Sequence, residues 1–303
     1  MSGYELLDFG DGRKLESLCG YRIDRPCPAA MAVRPVLPAR EWQAADATFC
    51  PQQQRWRCRR DWPERVERQR VHSDPIRGNC SDPGGGMYLQ AGRFRLPFDL
   101  TPFGHIGCFP EQQPNWSWLE SEVARVARTA VAEPRGLNLF AHTGGSTWAM
   151  SVAGAHVTHV DAAKPSVQAA RRIAADNGLA AAPIRYLVED AAKYVRRELN
   201  RRAEYDLVVL DPPSYGHGPR GNPWLIGRDL WPLIDNCLAL LRDGRGCMLI
   251  TGHGEQPDQR QIADYLRQQR GERPPRIELG RSSLVDRAGR RLDAGFFVRA
   301  VLT

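Results

Sequence analysis

Short apolar runs alternate with helical segments along the second half of the chain, and this alternation limits the possible folds more than any other feature. Strands that alternate strictly with helices build a parallel sheet, which the helices cover on both faces. The sequence therefore predicts a doubly wound α/β domain over residues 119–303. The expected helices span residues 119–133, 146–153, 165–177, 191–202, 228–241 and 257–270, and the expected strands span residues 137–141, 156–161, 184–188, 205–211, 246–251, 277–280 and 296–302.

Residues 1–118 are rich in Pro, Trp and Arg, and their apolar runs are short, without a sustained helical period. They are expected to form a smaller β-rich accessory domain. Seven arginines lie within residues 55–70, interleaved with Trp56 and Trp62. Such a segment can hold RNA through phosphate contacts and base stacking, or it can be a solvated hairpin whose tryptophans pack inward. The residues alone leave both interpretations open.

The charge balance is basic, with 42 Lys and Arg against 35 Asp and Glu and a formal net charge of +7. Nearly all of the cations are arginines, which suit phosphate and base contacts, although a GC-rich genome produces the same bias. The eight cysteines include no C-x-x-C pair, so we expect reduced thiols, no metal site and a cytoplasmic location. No apolar run is long enough for a membrane span, and residues 1–12 lack the pattern of a signal peptide.

Ligands bind at the carboxyl ends of the strands in such a sheet, so the residues after each predicted strand form the candidate site. The first strand is followed by Phe140-Ala141-His142-Thr143-Gly144-Gly145-Ser146-Thr147. Paired glycines let a backbone pass close to a ligand, and Ser146 or Thr147 can cap the next helix. A plain tight turn needs the same glycines, so this segment alone does not decide between the two.

Acidic residues end the next two strands. Asp161 ends the second strand, where a carboxylate accepts hydrogen bonds from both ribose hydroxyls of an adenosine. Glu189 and Asp190 follow the third strand, and Asp190 can accept from an exocyclic amine such as adenine N6. Each acid taken alone can equally be a helix N-cap. Their succession favours an adenosine site.

The fourth strand ends in Leu210-Asp211-Pro212-Pro213-Ser214-Tyr215, the most specific motif in the chain. The two prolines fix their φ angles and offer carbonyl groups without competing N–H groups. The sequence therefore predicts a rigid corner that presents Asp211 and holds Tyr215 over a planar substrate.

In this order the motifs resemble those of the class I S-adenosylmethionine-dependent methyltransferases. Within that class they are similar to the branch that contains the large-subunit ribosomal RNA cytosine-C5 methyltransferases, which also place an accessory domain before the catalytic domain. The resemblance extends over about residues 102–302 and is looser before them. It implies a Rossmann-like sheet, methyltransferase activity with S-adenosyl-L-methionine as cofactor, and RNA as a partner in ribosomal RNA processing.

The resemblance also assigns roles to residues. The implied cofactor-binding residues are Phe140, Ala141, His142, Thr143, Gly144, Gly145, Ser146, Thr147, Asp161, Ala162, Glu189, Asp190, Asp211 and Gln112. Asp161 would hold the ribose and Asp190 the adenine amine, while Asp211, Pro212, Pro213 and Tyr215 would face the acceptor. Gln112, with Glu111, ends residues 104–112, which are similar to the family segment that covers the cofactor from the N-terminal side. The same residues can instead be a connecting strand, with Phe103 and Phe109 packed. No metal is required, because the sulfonium supplies the electrophile.

The sequence departs from the cytosine-C5 pattern at one place. Methylation at C5 needs a thiolate that attacks ring C6, and the resembling enzymes carry that cysteine just after the fifth strand. This chain has Thr251-Gly252-His253-Gly254 there, and its nearest thiol, Cys247, lies inside the strand. Without that thiolate, transfer to nitrogen or oxygen remains, and we expect a nitrogen acceptor, with Asp211 accepting its N–H bonds. His253 can take the released proton, or it can be an ordinary loop residue.

Three other functions fit parts of the sequence. A small-molecule or protein methyltransferase would use the same cofactor site, with the N-terminal domain as its cover. A protein that binds S-adenosylmethionine without turnover would keep the acidic strand ends and lack the nucleophile. A nicotinamide dehydrogenase is disfavoured by the incomplete glycine fingerprint and by the Asp-Pro-Pro corner.

Overall fold

The structure is a computed structural model that describes residues 1–59, 87–129, 132–217, 223–254 and 256–302. The chain divides into two compact units, of which the first comprises Met1–Gln113 and Ser283–Ala294 and the second comprises Pro114–Ser282 and Gly295–Thr303. The sequence placed the boundary after residue 118 and did not assign residues 283–294 to the first unit. Within the described residues, no helix is both long and apolar enough to cross a membrane.

The first unit is built mainly from β-strands. Its five-stranded sheet has the order β1 (Tyr4–Gly10), β2 (Arg13–Leu18), β3 (Tyr21–Pro26), β4 (Ala47–Cys50) and β5 (Arg55–Cys58), and a separate hairpin consists of β6 (Tyr88–Ala91) and β7 (Phe94–Pro97). A short helix, α1 (Ala39–Gln43), precedes β4. The expected β-rich character of this unit is confirmed.

The arginine-rich segment is described only as far as residue 59. Trp56 lies in β5, where its indole Nε1 donates to the Thr101 carbonyl oxygen at 2.7 Å and its ring packs edge-on against Phe49. This tryptophan therefore packs against its own unit, as in the hairpin interpretation. Residues 60–70, with Trp62, lie outside the described residues.

A buried carboxylate explains why the tip of the last hairpin belongs to the first unit. Asp8 is 1% exposed and accepts hydrogen bonds from the Leu37 backbone and from Trp42 Nε1. Arg290 pairs with Asp8 and also with Asp286. A buried charge requires such a partner, so residues distant in sequence are held together.

The second unit contains a seven-stranded sheet covered by helices. Its strands are β8 (Arg135–Leu139), β9 (His156–Asp161), β10 (Ile184–Val188), β11 (Leu207–Leu210), β14 (Cys247–Gly252), β15 (Arg276–Val285) and β16 (Arg291–Val301), and a small hairpin is formed by β12 (Tyr215–His217) and β13 (Pro223–Leu225). Its helices are α2 (Gln113–Thr129), α3 (Gly145–Val152), α4 (Lys164–Asp176), α5 (Ala191–Asn200), α6 (Ile226–Leu240) and α7 (Gln259–Arg270).

The sheet has the strand order β10-β9-β8-β11-β14-β16-β15. The first five are parallel, but β16 pairs with β14 in the antiparallel sense, so the prediction of a purely parallel sheet was wrong. The physical reason is that a short hairpin returns the chain from β15 into β16, which lies between β14 and β15 and so runs opposite to the strands that crossover helices join.

Alternation along β8 shows that helices cover both faces. Leu137 and Leu139 belong to the apolar cluster that contains Tyr194 of α5 and Leu233 of α6. Asn138, which lies between the two leucines, donates to Thr147 Oγ1 of α3 at 2.9 Å. Because successive side chains of a strand point to opposite faces, α3 and α5 lie on opposite sides of the sheet. The doubly wound α/β prediction is confirmed.

The α3 face also holds a buried polar row. Thr147 Oγ1 lies 3.0 Å from His159 Nδ1, and the His159 side chain is fully buried. Burial, with a smaller contribution from nearby His142, lowers the pKa of His159 to about 3. The imidazole is therefore neutral in the folded protein at neutral pH.

We expect the stability of the second unit to fall on mild acidification. In the unfolded chain His159 titrates near its ordinary pKa of about 6.5, so below that pH the unfolded state binds the proton that the folded state excludes. The free energy of unfolding should decrease by about 2 kcal/mol between about pH 7.5 and about pH 5. Urea titrations at both pH values measure this difference.

In the His159→Asn protein, the free energy of unfolding should fall much less between these two pH values. The His156→Gln protein, which replaces an exposed histidine of the same strand, should show the full decrease. An equal decrease in the His159→Asn protein would show that other groups cause the acid sensitivity.

Candidate cofactor and acceptor site

The strand order places several loops at one edge of the sheet. Strands β9 and β10 lie to one side of β8, whereas β11 and β14 lie to the other. At such a reversal the connections leave the sheet in opposite directions and open a crevice at the carboxyl ends of the strands. The loops that follow β8 and β11 border this crevice.

The loop after β8 has an unusual backbone. Phe140 has a φ of 55° and His142 a φ of 46°. A non-glycine residue in this left-handed backbone region costs about 1 kcal/mol or more. The neighbouring strand stabilises this conformation, because the Ala141 amide donates to the Val160 carbonyl at 3.1 Å. The His142 amide donates to Asp161 Oδ2 at 2.8 Å. Strained backbone at a sheet edge is typical of binding loops.

Tryptophans explain the two glycines of this loop. A Cβ atom at Gly145 would lie 2.6 Å from the Trp116 ring, and one at Gly144 would lie 3.0 Å from the Trp148 ring. Gly144 also has a φ of 105°, which favours glycine. The sequence suggested room for a ligand, but packing alone already requires both glycines.

The polar residues after the glycines do not cap α3. Gly144 occupies the N-cap position, and no side chain accepts a hydrogen bond there, so the predicted cap by Ser146 or Thr147 was wrong. Thr147 is buried and directs its hydroxyl group to Asn138 and His159. Ser146 and Thr143 are partly exposed near the sheet edge. Thr147 does not cap the helix because its hydroxyl group is already engaged by Asn138 and His159.

Asp161 ends β9 and organises the backbone around it. Its Oδ2 accepts from the His142 amide and its Oδ1 accepts from the Ala163 amide, both at 2.8 Å. The side chain is partly exposed, as is its neighbour Ala162. Each carboxylate oxygen has two lone pairs, so both oxygens retain capacity for an external donor. A pair of hydroxyl groups fits this arrangement.

The two acids after β10 have different partners. Asp190 Oδ1 accepts from the Lys193 amide at 2.8 Å and caps α5, as the alternative interpretation expected. Glu189 pairs with Arg197 at 3.1 Å and with Lys193 at 3.5 Å. Slight burial opposes ionisation, but hydrogen bonds from the Asp190 amide and from Arg197 lower the pKa of Glu189. Glu189 is thus engaged by cations, whereas Asp190 has a second oxygen available at the edge.

The two possible roles of Asp190 can be separated by Asp190→Ser. Serine caps helices about as well as aspartate, so the melting temperature should change by less than about 2 °C. Serine lacks the second carboxylate oxygen and the negative charge that would meet the adenine amine, so affinity for S-adenosylmethionine should fall about tenfold or more. Calorimetric titration measures this affinity.

Unchanged affinity in Asp190→Ser would restrict Asp190 to capping. Asp258→Ser is the matched control, because Asp258 caps α7 in the same way. It should leave the affinity for S-adenosylmethionine unchanged.

The corner after β11 combines exposed and buried residues. Asp211 and Pro213 are exposed and Pro212 is buried. Tyr215 is 55% exposed in β12 and pairs in register with Leu225 of β13, which is 41% exposed. This hairpin was not predicted from the sequence, because its two strands are only three residues long. The tyrosine is placed where a planar group can stack.

The loop after β14 lies against the same corner. A Cβ atom at Gly254 would lie 3.4 Å from Ser214 Oγ. His253 is exposed, and a Cβ atom at Gly295 would lie 2.8 Å from its Nδ1. The glycine therefore makes room for the imidazole, which stands next to the residues that follow Asp211.

The described cysteines supply no activated thiol at this edge. Cys247 lies in β14 and is buried, and burial raises its pKa far above the usual range. Burial does the same to Cys237 of α6. Cys80 lies outside the described residues. Within the described ranges, no group of three or more His, Cys, Asp or Glu side chains is arranged to hold a metal ion.

Gln112 belongs to the first unit. It is buried at the end of a 3-10 turn, Pro110–Gln112, and Glu111 beside it is partly exposed. Residues 104–109, which precede this turn, do not form a strand either. The part of Gln112 in a cofactor site remains a prediction.

Comparisons with known proteins agree with this geometry. No protein-family model matches the chain. The ribosomal RNA large subunit methyltransferase K/L of Cellvibrio japonicus is 30% identical over 164 residues, which cover 53% of this chain and 20% of that protein. The ribosomal RNA large subunit methyltransferase I of Alteromonas mediterranea is 32% identical over 139 residues, which cover 45% of this chain and 30% of that protein. The matches thus span less than a third of these curated relatives.

A solved structure matches the whole chain. The crystal structure of a SAM-dependent methyltransferase from Agrobacterium tumefaciens is 29% identical, with a TM-score of 0.85, and the match covers 100% of this chain and 91% of that one. In sequence and fold the chain is thus similar to S-adenosylmethionine-dependent methyltransferases, and part of it is similar to ribosomal RNA large subunit methyltransferases, which is consistent with the class I resemblance of its motifs.

Proposed function

We propose that this chain transfers a methyl group from S-adenosylmethionine to a nitrogen atom of RNA. The observation that carries the proposal is the placement of Asp161, Asp190 and the Asp211 corner after the carboxyl ends of β9, β10 and β11, which run parallel in one sheet. Two acids suit an adenosine, and the corner suits a planar acceptor beside it. The relatives named as ribosomal RNA methyltransferases support RNA as the substrate class.

The residues present fit the proposed cofactor. The remaining lone pairs of Asp161 suit the ribose hydroxyls, and the second carboxylate oxygen of Asp190, which does not cap the helix, suits the adenine amine. The loop after β8, in which Phe140 and His142 have left-handed backbone angles, would border the methionine end of the cofactor. When bound, S-adenosylmethionine supplies a methyl group that its sulfonium already activates.

The chain's own residues would then align and deprotonate the acceptor. Asp211 and the carbonyl groups of the proline corner can accept N–H bonds and localise the lone pair of a conjugated amine. Tyr215 would stack on the ring that carries this amine. His253, exposed on the adjacent loop, would take the released proton. In-line placement of nucleophile and methyl group supplies most of the rate enhancement.

The positive charge supports a polyanionic substrate. The chain carries a formal net charge of +7, mostly as guanidinium groups that bind phosphates in a bidentate manner. We assign residues 1–118 an accessory role in holding RNA and residues 119–303 the catalytic role. A ribosomal RNA substrate would place the protein in the cytoplasm.

Replacing Cys247 should not reduce methyl transfer. Because burial keeps this thiol protonated, it cannot attack ring C6, so Cys247→Ala should retain activity within about twofold. Cys237→Ala, another buried thiol in the same unit, is the matched control. A complete loss of transfer in Cys247→Ala alone, with the protein still folded, would favour a cytosine C5 acceptor.

The proposal is tested by transfer of tritiated methyl groups from S-adenosylmethionine into extract from a strain that lacks this protein. Fractionation into RNA, DNA, protein and small molecules should find the label in RNA. Label confined to protein or small molecules would support the alternative enzymes, with the first unit as a cover for the site. Cofactor binding without any transfer would support a non-catalytic binding protein.

A further inference from the structure

Trp224 contacts both loops that border the crevice. Its indole Nε1 donates to the Pro213 carbonyl oxygen at 2.7 Å. Its ring packs against Phe140, with ring centroids 4.9 Å apart and planes inclined by 59°. The side chain is 9% exposed and belongs to the main apolar cluster of the second unit. A single side chain thus connects the loop after β8, residues 140–144, to the corner after β11, residues 211–215. These two segments are called the cofactor loop and the acceptor corner below.

The acceptor corner depends on donors from outside. Pro212 and Pro213 have no backbone N–H groups, so the corner cannot close a backbone hydrogen bond through its own prolines. Two groups that follow in the chain donate to it: Trp224 donates to Pro213, and the Ile226 amide donates to the Ser214 carbonyl at 3.2 Å. Strand β13 carries Trp224 back to the corner by pairing with β12.

Phe140 is the residue through which the cofactor loop reaches this tryptophan. Its left-handed φ of 55° directs the chain from β8 into the loop, and its ring is only partly buried against the apolar cluster. Occupation of the loop by a ligand would restrict Phe140, and through the ring contact it would restrict Trp224. The hydrogen bond to Pro213 would then hold the corner.

We propose that Trp224 is a positioning residue, which couples the cofactor loop to the acceptor corner so that cofactor binding orders the residues that face the acceptor. This role rests on the proposed function. It differs from catalysis itself, because Trp224 acts on the reaction through Phe140 and Pro213. A displacement of the corner by about 1 Å is enough to lower the rate of an aligned transfer about a hundredfold.

Trp224→Phe is the informative variant. Phenylalanine keeps an aromatic ring against Phe140 but removes the N–H donor to Pro213. We expect kcat on total RNA from the deletion strain to fall about tenfold or more, while the affinity for S-adenosylhomocysteine stays within about twofold. Trp231→Phe is the matched control, because Trp231 lies on α6 and packs on Tyr265 instead. It should keep the wild-type kcat.

A second readout does not depend on activity. In the wild type and in Trp231→Phe, S-adenosylhomocysteine should slow hydrogen–deuterium exchange in the peptide that covers residues 211–217. In Trp224→Phe it should bind without slowing that exchange. A merely structural role would raise exchange with and without ligand alike, and it would not remove the ligand-dependent difference.

The outcomes separate the two proposals. A Trp224→Phe protein with wild-type kcat and intact ligand-dependent protection would overturn the coupling role, as would an equal loss in Trp231→Phe. A wild type that shows the protection but transfers no label to RNA would contradict the proposed function and still support the coupling.

Discussion

Replacing Asp211 by alanine is expected to lower the rate of methyl transfer to RNA by about a hundredfold or more, while the affinity for S-adenosylmethionine changes by less than about threefold. Asp211 is exposed at the end of β11, next to the buried Pro212. A carboxylate at this point can accept the N–H bonds of an amine, and a positioned acceptor of this kind contributes about 10²–10³ to the rate. Single-turnover transfer of labelled methyl groups measures the effect.

Two further variants sharpen that experiment. Asp211→Asn keeps an oxygen acceptor of the same size and should retain more activity than Asp211→Ala. Asp235→Ala removes an exposed aspartate that accepts from Tyr265 on the neighbouring helix, so it controls for the loss of one negative charge. Full turnover by Asp211→Ala would show that the corner does not act on the acceptor.

Replacing Asp161 by alanine is expected to weaken S-adenosylmethionine binding about a hundredfold or more. Two effects add together. The ribose hydroxyls lose their charged acceptor, with a cost of about 1.5–3 kcal/mol for each such bond. The His142 amide also loses its 2.8 Å hydrogen bond, which frees a strained loop. Asp176→Ala, in the helix after Asp161, is the matched control and should bind normally.

A modified ligand separates these two effects. If Asp161 binds the ribose, an S-adenosylhomocysteine analogue that lacks the 2′-hydroxyl group should lose less affinity in Asp161→Ala than the complete ligand does. An equal loss for both ligands would show that Asp161 does not bind the 2′-hydroxyl group. Calorimetric titration of both ligands into both proteins completes the comparison.

The strands that carry the site were predictable because each is a short, largely apolar run, although β10 at the edge of the sheet is only partly buried. Strands β9 and β10 match the expected residues 156–161 and 184–188, and β8, β11 and β14 differ from expectation by at most two residues at each end. The acids that end these strands could therefore be placed at one edge of the sheet. The local sequence pattern is sufficient to place these acids, because strands that alternate with helices run parallel and their carboxyl ends meet at one edge of the sheet.

Packing between distant residues was not predictable. The ion pair between Asp8 and Arg290 joins positions 282 residues apart. Trp116 lies against Gly145, and Thr147 turns into a buried row with His159. Helix α2 begins at Gln113, before the expected residue 119, because buried Trp116 extends its apolar face. The β12–β13 hairpin, with Trp224, is too short to show a strand period.

The most direct test of the central claim is to identify the methylated nucleoside. RNA from a strain that lacks this protein would be incubated with the enzyme and labelled S-adenosylmethionine, digested to nucleosides and separated by liquid chromatography with mass detection. An N-methylated nucleoside, present with the wild type and absent with Asp211→Ala, is the expected result. Label in 5-methylcytidine, or an RNA fraction without label, would contradict nitrogen methylation of RNA at the Asp211 corner.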